Sequence, residues 1–291
     1  MFFENDAVEM IKVGFIGAGD IAYLHGEGVQ ASSNAQLHGI WNRTRTKAEE
    51  KASLFDTRVF DTAEELIEAV DVVYVLTNME THHAYCMQAI EAGKHVLVEK
   101  PTAVTIQEIE EIKAFAHQKG VQVAPVHNYI YEAPVMRAKE LIESGKLGDL
   151  VSLHVLYNIH HPEEVAARYP GVIRQILTHH AYCTLYLVGQ PELVSCMKAT
   201  VNDGSVPQEN LAMVTMKMRN QALSHLCASF AADDHAGDPW TFMIKVIGTK
   251  GAPRYSYRDW GRKPPPPWFT LKPTPLTPTP FVPLGSIFLN K

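Results

Sequence analysis

A short apolar run, Ile11-Lys12-Val13-Gly14-Phe15-Ile16, passes directly into Gly17-Ala18-Gly19-Asp20-Ile21-Ala22 and then into a helical segment running through Leu24 towards Val29. Strand, glycine-rich turn and helix in that order constrain the fold more than any other stretch. Gly17 permits a tight turn, Gly19 lets the backbone approach a pyrophosphate, and Ala22 lets helix pack closely on strand. The helix N-terminus adds unpaired amides and partial positive charge, which suit phosphate. Gly17, Gly19, Asp20 and Ile21 are therefore candidate dinucleotide-binding residues.

The same grammar repeats. A second strand, Ala35 to Trp41, ends on Asn42, where a ribose-binding carboxylate would be expected about 20 residues beyond the glycines. Arg43-Thr44-Arg45-Thr46-Lys47 follow instead, and they would not repel a 2'-phosphate. Asn42 and Arg43 thus point to NADP(H) as the preferred cofactor, with NAD(H) the alternative. Thr57 to Phe60 reads as a third strand, Asp61-Thr62-Ala63-Glu64 as a capping box opening a helix to about Ala69, and Val70 to Leu76 as a fourth strand stopping at Thr77-Asn78. A helix from about Thr81 to Ala92 leads through Gly93 to the apolar run Val96-Leu97-Val98, which delivers Glu99 and Lys100. Another helix, Ile106 to Lys119, ends at Gly120 before a sixth strand, Val121 to Val126. Strand and helix alternating in this way predict a doubly wound parallel sheet. Such sheets bind ligands at the carboxyl ends of their strands, so Thr77, Asn78, His82, Glu99 and Lys100 join the candidate site.

After His127-Asn128 the pattern changes. A helix over Ala133 to Ser144 closes at Gly145-Lys146-Leu147-Gly148. Strands are expected at Val151 to Tyr157, Leu193 to Thr200, Ala212 to Met218, Ala222 to Phe230 and Phe242 to Ile247, with a helix near Ile176 to Val188. Extended segments in series predict an α+β domain with a mostly antiparallel open sheet. The expected division is a leader over 1–10, with Met10 an alternative start, a Rossmann domain over 11–126, a second domain over 127–262, and an irregular tail over 263–291. That tail holds nine of the chain's 18 prolines, which bars helix and central strand. It reads either as a divergent terminus or as the product of a shifted frame or truncated gene.

Composition narrows the function classes. The net charge of -6 argues against a nucleic-acid partner. No apolar run reaches the 18 or so residues of a membrane span. Met1 to Met10 contain acids and lack a basic n-region, so they do not read as a signal peptide. Four cysteines without CxxC spacing suit reduced thiols, and with them a cytoplasmic protein. The pairs His82-His83, His160-His161 and His179-His180 lack metal-ligand spacing, so no metal site is expected.

The fingerprint at Gly17 to Ala22, Thr81-His82, the block Ala92-Gly93-Lys94-His95-Val96-Leu97-Val98-Glu99-Lys100-Pro101, and Gly145-Lys146-Leu147-Gly148 together resemble the Gfo/Idh/MocA oxidoreductases over about residues 11 to 260. The resemblance implies a Rossmann domain followed by an open-sheet α/β domain, NAD(P) as cofactor, and hydride transfer at a hydroxyl or ketone carbon of a sugar, cyclitol or related polyol. By resemblance Lys100 would bond the reacting oxygen. Counting back from Gly189 places the family's proton-relaying histidine at His179, with His180 beside it. Four residues before His179 stands Gln175, where relatives carry an aspartate. Asn128 would touch the nicotinamide ribose or the substrate. The open sheet face commonly pairs subunits in this family, so a homodimer or homotetramer is implied. A non-catalytic dinucleotide sensor and a redox-neutral NAD-dependent glycosidase are the competing readings.

Overall fold

The computed structural model describes residues 10–161, 163–167, 169–201, 208–231 and 240–257. Within it the chain divides into two compact units, one ending at Val126 and the other beginning at His127. The expected leader, save Met10, and the proline-rich tail lie outside the described residues.

The first unit runs β1 (Ile11–Ile16), α1 (Ile21–Gln30), β2 (Ala35–Trp41), α2 (Arg45–Phe55), β3 (Arg58–Val59), α3 (Ala63–Ala69), β4 (Val72–Val75), α4 (His82–Glu91), β5 (His95–Val98), α5 (Ile106–Lys119) and β6 (Val123–Pro125). A 3-10 turn, Met79–Thr81, precedes α4. The strands form one parallel sheet in the order β3-β2-β1-β4-β5-β6. The order reverses at β1, whose neighbours are β2 and β4, and this switch point opens a crevice at the carboxyl ends of the strands. Two apolar clusters enclose the sheet. Val13, Phe15, Ile40 and Leu76 pack with Ala22 and Val29 of α1 and Ala48 and Ala52 of α2. Val73, Val75, Val96 and Val98 pack with α3, α4 and α5 through Leu66, Ile90 and Ile112. Burial on both sides explains why these strands read as continuous apolar runs.

The caps differ from expectation. Thr62, not Asp61, caps α3 by accepting the Glu65 amide, because Asp61 is drawn instead to the Arg45 guanidinium. The capping box of this unit is at α5. There the Thr105 hydroxyl accepts the Glu108 amide and the Glu108 carboxylate accepts the Thr105 and Val104 amides. Those amide bonds hold the Glu108 carboxyl below the usual carboxylate range.

The second unit contains α6 (Ala133–Glu143), β7 (Leu150–Ile159), α7 (Glu163–Ala166), α8 (Thr178–Val188), β8 (Pro191–Ala199), β9 (Leu211–Met218), β10 (Leu223–Ser229), β11 (Trp240–Gly248) and β12 (Arg254–Tyr257). Strand β12 was not expected from the sequence. Its sheet has the order β12-β11-β7-β10-β9-β8. All neighbours are antiparallel except β7 and β10, which run parallel. One face, through Leu153, Val155, Leu226 and Ile244, packs on Val135 of α6 and on Tyr182, Cys183 and Leu187 of α8. The other face is open and carries exposed Leu193, Met197, Met213 and Leu223. The expected helix from Ile176 is two elements: a π-helical stretch, Ile173–Leu177, continues directly into α8. No helix among the described residues is long and apolar enough to cross a membrane.

Candidate functional site

The turn after β1 has the geometry of a phosphate cradle. Gly17 sits at φ +115°, and a Cβ there would lie 2.6 Å from the Leu76 carbonyl oxygen, so only glycine fits. A Cβ on Gly19 would meet nothing within 4 Å, so the turn faces open space at that point. The amides of Gly19, Asp20 and Ile21 have no acceptor among the described residues, and the first turn of α1 carries no acidic side chain. Open space, three available amides and a helix N-terminus fit the pyrophosphate of a dinucleotide. Asn42 braces this turn: its Oδ1 accepts the Ala18 amide at 3.1 Å and its Nδ2 donates to the Thr44 carbonyl at 2.8 Å. The side-chain amide is therefore committed to the backbone rather than presented to a ribose. Arg43 and Thr44 beyond it are exposed, whereas Arg45 is held by Glu49 and Asp61.

At the end of β4, Thr77 accepts from the Thr81 hydroxyl at 2.7 Å, and Asn78 is exposed. His82 departs from expectation. It is 1% exposed, with Nδ1 2.9 Å from the Pro101 carbonyl and Nε2 3.0 Å from the Thr77 carbonyl. Both ring nitrogens face backbone, so His82 ties two loops together and does not present its ring to a ligand.

At the end of β5, Glu99 is buried and Lys100 half-buried. The Glu99 carboxylate accepts the Lys100 amide at 2.9 Å and lies 2.9 Å from His25 Nε2. His25, on α1, stands edge-on to Phe15 and Tyr74. Burial lowers the Lys100 pKa, and the neighbouring Glu99 charge partly offsets this. The Lys100–Pro101 peptide is cis. Sequence reasoning missed His25; nothing in the pattern links it to a carboxylate 74 residues away.

In the second unit the two adjacent histidines of α8 have different fates. His179 stacks on Tyr129 with ring centroids 4.5 Å apart, and its Nδ1 lies 2.7 Å from the Tyr182 hydroxyl. Tyr182 donates to Asn128 Oδ1 at 3.1 Å and accepts the Tyr129 amide at 3.2 Å. Asn128 thus serves this network. His180 is 0% exposed, packs beside Tyr157 and Phe242, and neither ring nitrogen has a partner among the described residues. Burial pushes its pKa down to about 3. A core imidazole held neutral cannot exchange protons with a substrate, so His180 drops out of the candidate set. Adjacent helix residues point about 100° apart, which is why one faces the network and the other the core. Tyr182 was overlooked although its i+3 spacing from His179 was available in the sequence.

Comparison with known proteins shows the family. Residues 11–127 match the model of an oxidoreductase family with an NAD-binding Rossmann fold, GFO/IDH/MocA, and residues 135–254 match the GFO/IDH/MocA C-terminal domain. The chain is similar to scyllo-inositol 2-dehydrogenase (NADP(+)) IolW of Bacillus subtilis, 33% identical over 198 residues, which is 65% of this chain and 54% of the relative. It is also similar to glucose-6-phosphate 3-dehydrogenase of the same organism, 34% identical over 263 residues, covering 84% of this chain and 74% of the relative. The match thus spans about half the length of the first relative and about three quarters of the second. Among solved structures, GenD2 from gentamicin A biosynthesis in complex with NAD has a TM-score of 0.77 at 23% identity, over 88% of this chain and 75% of that one. The WlbA dehydrogenase of Bordetella pertussis, in complex with NADH and UDP-GlcNAcA, has a TM-score of 0.78 at 21% identity, over 86% and 74% of the two chains. At such identity the shared property is the fold.

Proposed function

Since the chain belongs to the GFO/IDH/MocA oxidoreductase family, we propose that it transfers a hydride between a nicotinamide and a hydroxyl or ketone carbon of a sugar, cyclitol or similar small polyol. The observation that carries this reading is the placement of Lys100. A cation depressed in pKa by burial stands at the carboxyl end of β5, on the same sheet edge as the acceptor-free amides that follow β1. An ammonium there stabilises an alkoxide as its charge develops, which is stabilisation specific to the transition state. The bound nicotinamide would supply the hydride donor or acceptor. Gly17, Gly19, Asp20 and Ile21 would hold the pyrophosphate, and Thr77 and Asn78 would border the ring. Glu99 acts beneath Lys100, fixing the backbone from which it projects. His179 takes or returns the hydroxyl proton, and Asn128 works through the Tyr182 hydroxyl.

For the cofactor we favour NADP(H). Arg43 is an exposed guanidinium at the end of β2, with Thr44 beside it and no carboxylate in the segment from Asn42 to Lys47. The named relative IolW is an NADP(+) enzyme. In this scheme residues 11–126 bind the nucleotide and 127–262 the substrate, while the open sheet face, with exposed Met197 and Met213, pairs subunits as a homodimer or homotetramer. Fluorescence titration with NADPH and NADH tests the assignment. Tighter NADPH binding that falls about tenfold in Arg43→Ala, roughly 1.4 kcal/mol, is the expected result. Equal affinity for both nucleotides in wild type and variant would remove the NADP(H) preference.

A further inference from the structure

Strand β8 ends the second sheet, and no strand among the described residues pairs with its outer edge. Such an edge presents a row of N–H and C=O groups, and proteins commonly blunt it with a short strand, a proline, a bulge or a lysine. β8 is nine residues long, and every residue from Glu192 to Ala199 is exposed, so the strand is bare on both faces. Its blunting devices stand at its ends: Pro191 with the register shift before Leu193, and Lys198. The stretch from Leu193 to Met197 carries none. Within it Leu193, Val194 and Met197 are each more than half exposed.

The strand is also complementary to itself. Residues opposite one another on a ladder lie on the same face of the sheet, so two antiparallel copies of β8 can meet only in registers that pair residues an even number of positions apart. The register that uses the whole strand is centred on Ser195. It sets Glu192 opposite the partner's Lys198, Leu193 opposite the partner's Met197 and Val194 opposite the partner's Cys196. Moving the centre by one residue sets Val194 opposite Lys198, or Glu192 opposite Cys196. Only the central register matches charge with charge and apolar with apolar, the pairs that stabilise a ladder. Within the chain Glu192 meets Lys217 at 3.2 Å and Lys198 meets Glu209 at 3.7 Å, but the Glu192 and Lys198 side chains are more than half exposed and retain room for a second partner.

We propose that β8 pairs with β8 of a second copy of this chain, antiparallel and centred on Ser195, so that one six-stranded sheet continues into the other across a two-fold axis normal to the sheet. Such a contact is isologous: it closes on a pair and leaves neither β8 edge unsatisfied. It uses the edge of the sheet and not its open face.

The test is disulfide trapping in the full chain. Cα atoms opposite one another on an antiparallel ladder lie about 4.5–5.5 Å apart, within the span of a disulfide. Val194→Cys should therefore bond to the partner's native Cys196 under mild oxidation by copper phenanthroline, giving most of the chain as a dimer on a non-reducing denaturing gel. Val194 is exposed, so the substitution leaves the core intact. Cys86, Cys183 and Cys227 are buried and contribute little background. Two native Cys196 side chains would meet only diagonally, so wild type should trap poorly, and Val194→Cys combined with Cys196→Ser should lose the dimer. Val194 and Cys196 point to the side of the sheet opposite Leu193 and Met197, so pairing through the open face does not form this bond. Sedimentation of the untreated chain should show self-association at micromolar concentration. A monomer there would overturn the proposal. So would an associated chain in which Val194→Cys traps no more dimer than wild type, a result that would assign association to the open face.

Discussion

His180 should make the protein acid-sensitive by an amount that follows from its burial. The ring is fully enclosed, with its pKa pushed from 6.5 down to about 3. Between those values the unfolded chain binds a proton that the folded chain refuses. Stability is therefore lost as pH falls below the unfolded pKa, at about 1.4 kcal/mol per pH unit for one such group. From pH 7 to pH 5 the loss assigned to this ring is about 2 kcal/mol. His127 and His161 are also lowered by burial and add to the slope, so the comparison must be a difference. His180→Leu keeps the site apolar and removes the titration, leaving the other histidines in place. Urea unfolding of both proteins at pH 7 and pH 5 supplies the four free energies. The wild type should lose about 2 kcal/mol more than the variant. Equal losses would refute the reasoning, since they would mean that His180 is protonated in the folded state as readily as in the unfolded one.

The two glycines of the turn after β1 should separate fold from binding. Gly17→Ala places a methyl in the left-handed region against the Leu76 carbonyl and should cost about 1–3 kcal/mol in chemical denaturation; Gly19→Val, whose Cβ meets open space, should leave the melting temperature within a few degrees and weaken nucleotide binding at least about tenfold by titration. A Gly19→Val protein that binds normally would show that the nucleotide does not approach this turn. His25→Ala deprives the buried Glu99 carboxylate of a partner at 2.9 Å and should cost about 1–3 kcal/mol, read by urea unfolding. His25→Gln, which can still donate, should recover part of that loss; no loss in either variant would make the contact energetically idle.

The first unit was legible because its signals are local and agree with one another. Continuous apolar runs, a glycine turn of fixed spacing and amphipathic intervals each specify an element buried on known faces, so the parallel sheet follows with few alternatives. The open sheet was legible in its strands but not in its pairing. The parallel contact between β7 and β10 joins segments far apart in sequence, and alternation says nothing about neighbours. At the site, Gly17, a candidate resting on backbone requirement, has the geometry its residue type demands, whereas a Cβ on Gly19 would meet open space and its φ is not positive. Those resting on side-chain direction divided. His82 turned to backbone carbonyls and His180 to the core, because one residue's shift around a helix exchanges ligand for packing. Asp61 lost its capping role to Thr62 because Arg45, distant in sequence, claimed the carboxylate. His25 lay beyond the reach of the sequence because it acts through a contact with Glu99, 74 residues away, that only the folded chain supplies, whereas Tyr182 stands three residues after His179 on the same helix.

The measurement closest to the central claim is NAD(P)H absorbance at 340 nm with a panel of cyclitols, sugars and sugar phosphates, run on wild type and on Lys100→Met with nucleotide binding measured in parallel. Turnover by the wild type that falls at least about a hundredfold in Lys100→Met, with nucleotide affinity retained, is the expected result for a cation that stabilises developing alkoxide. Undiminished turnover in Lys100→Met would contradict that role, and nucleotide binding without turnover on any member of the panel would favour a dinucleotide sensor over the enzyme.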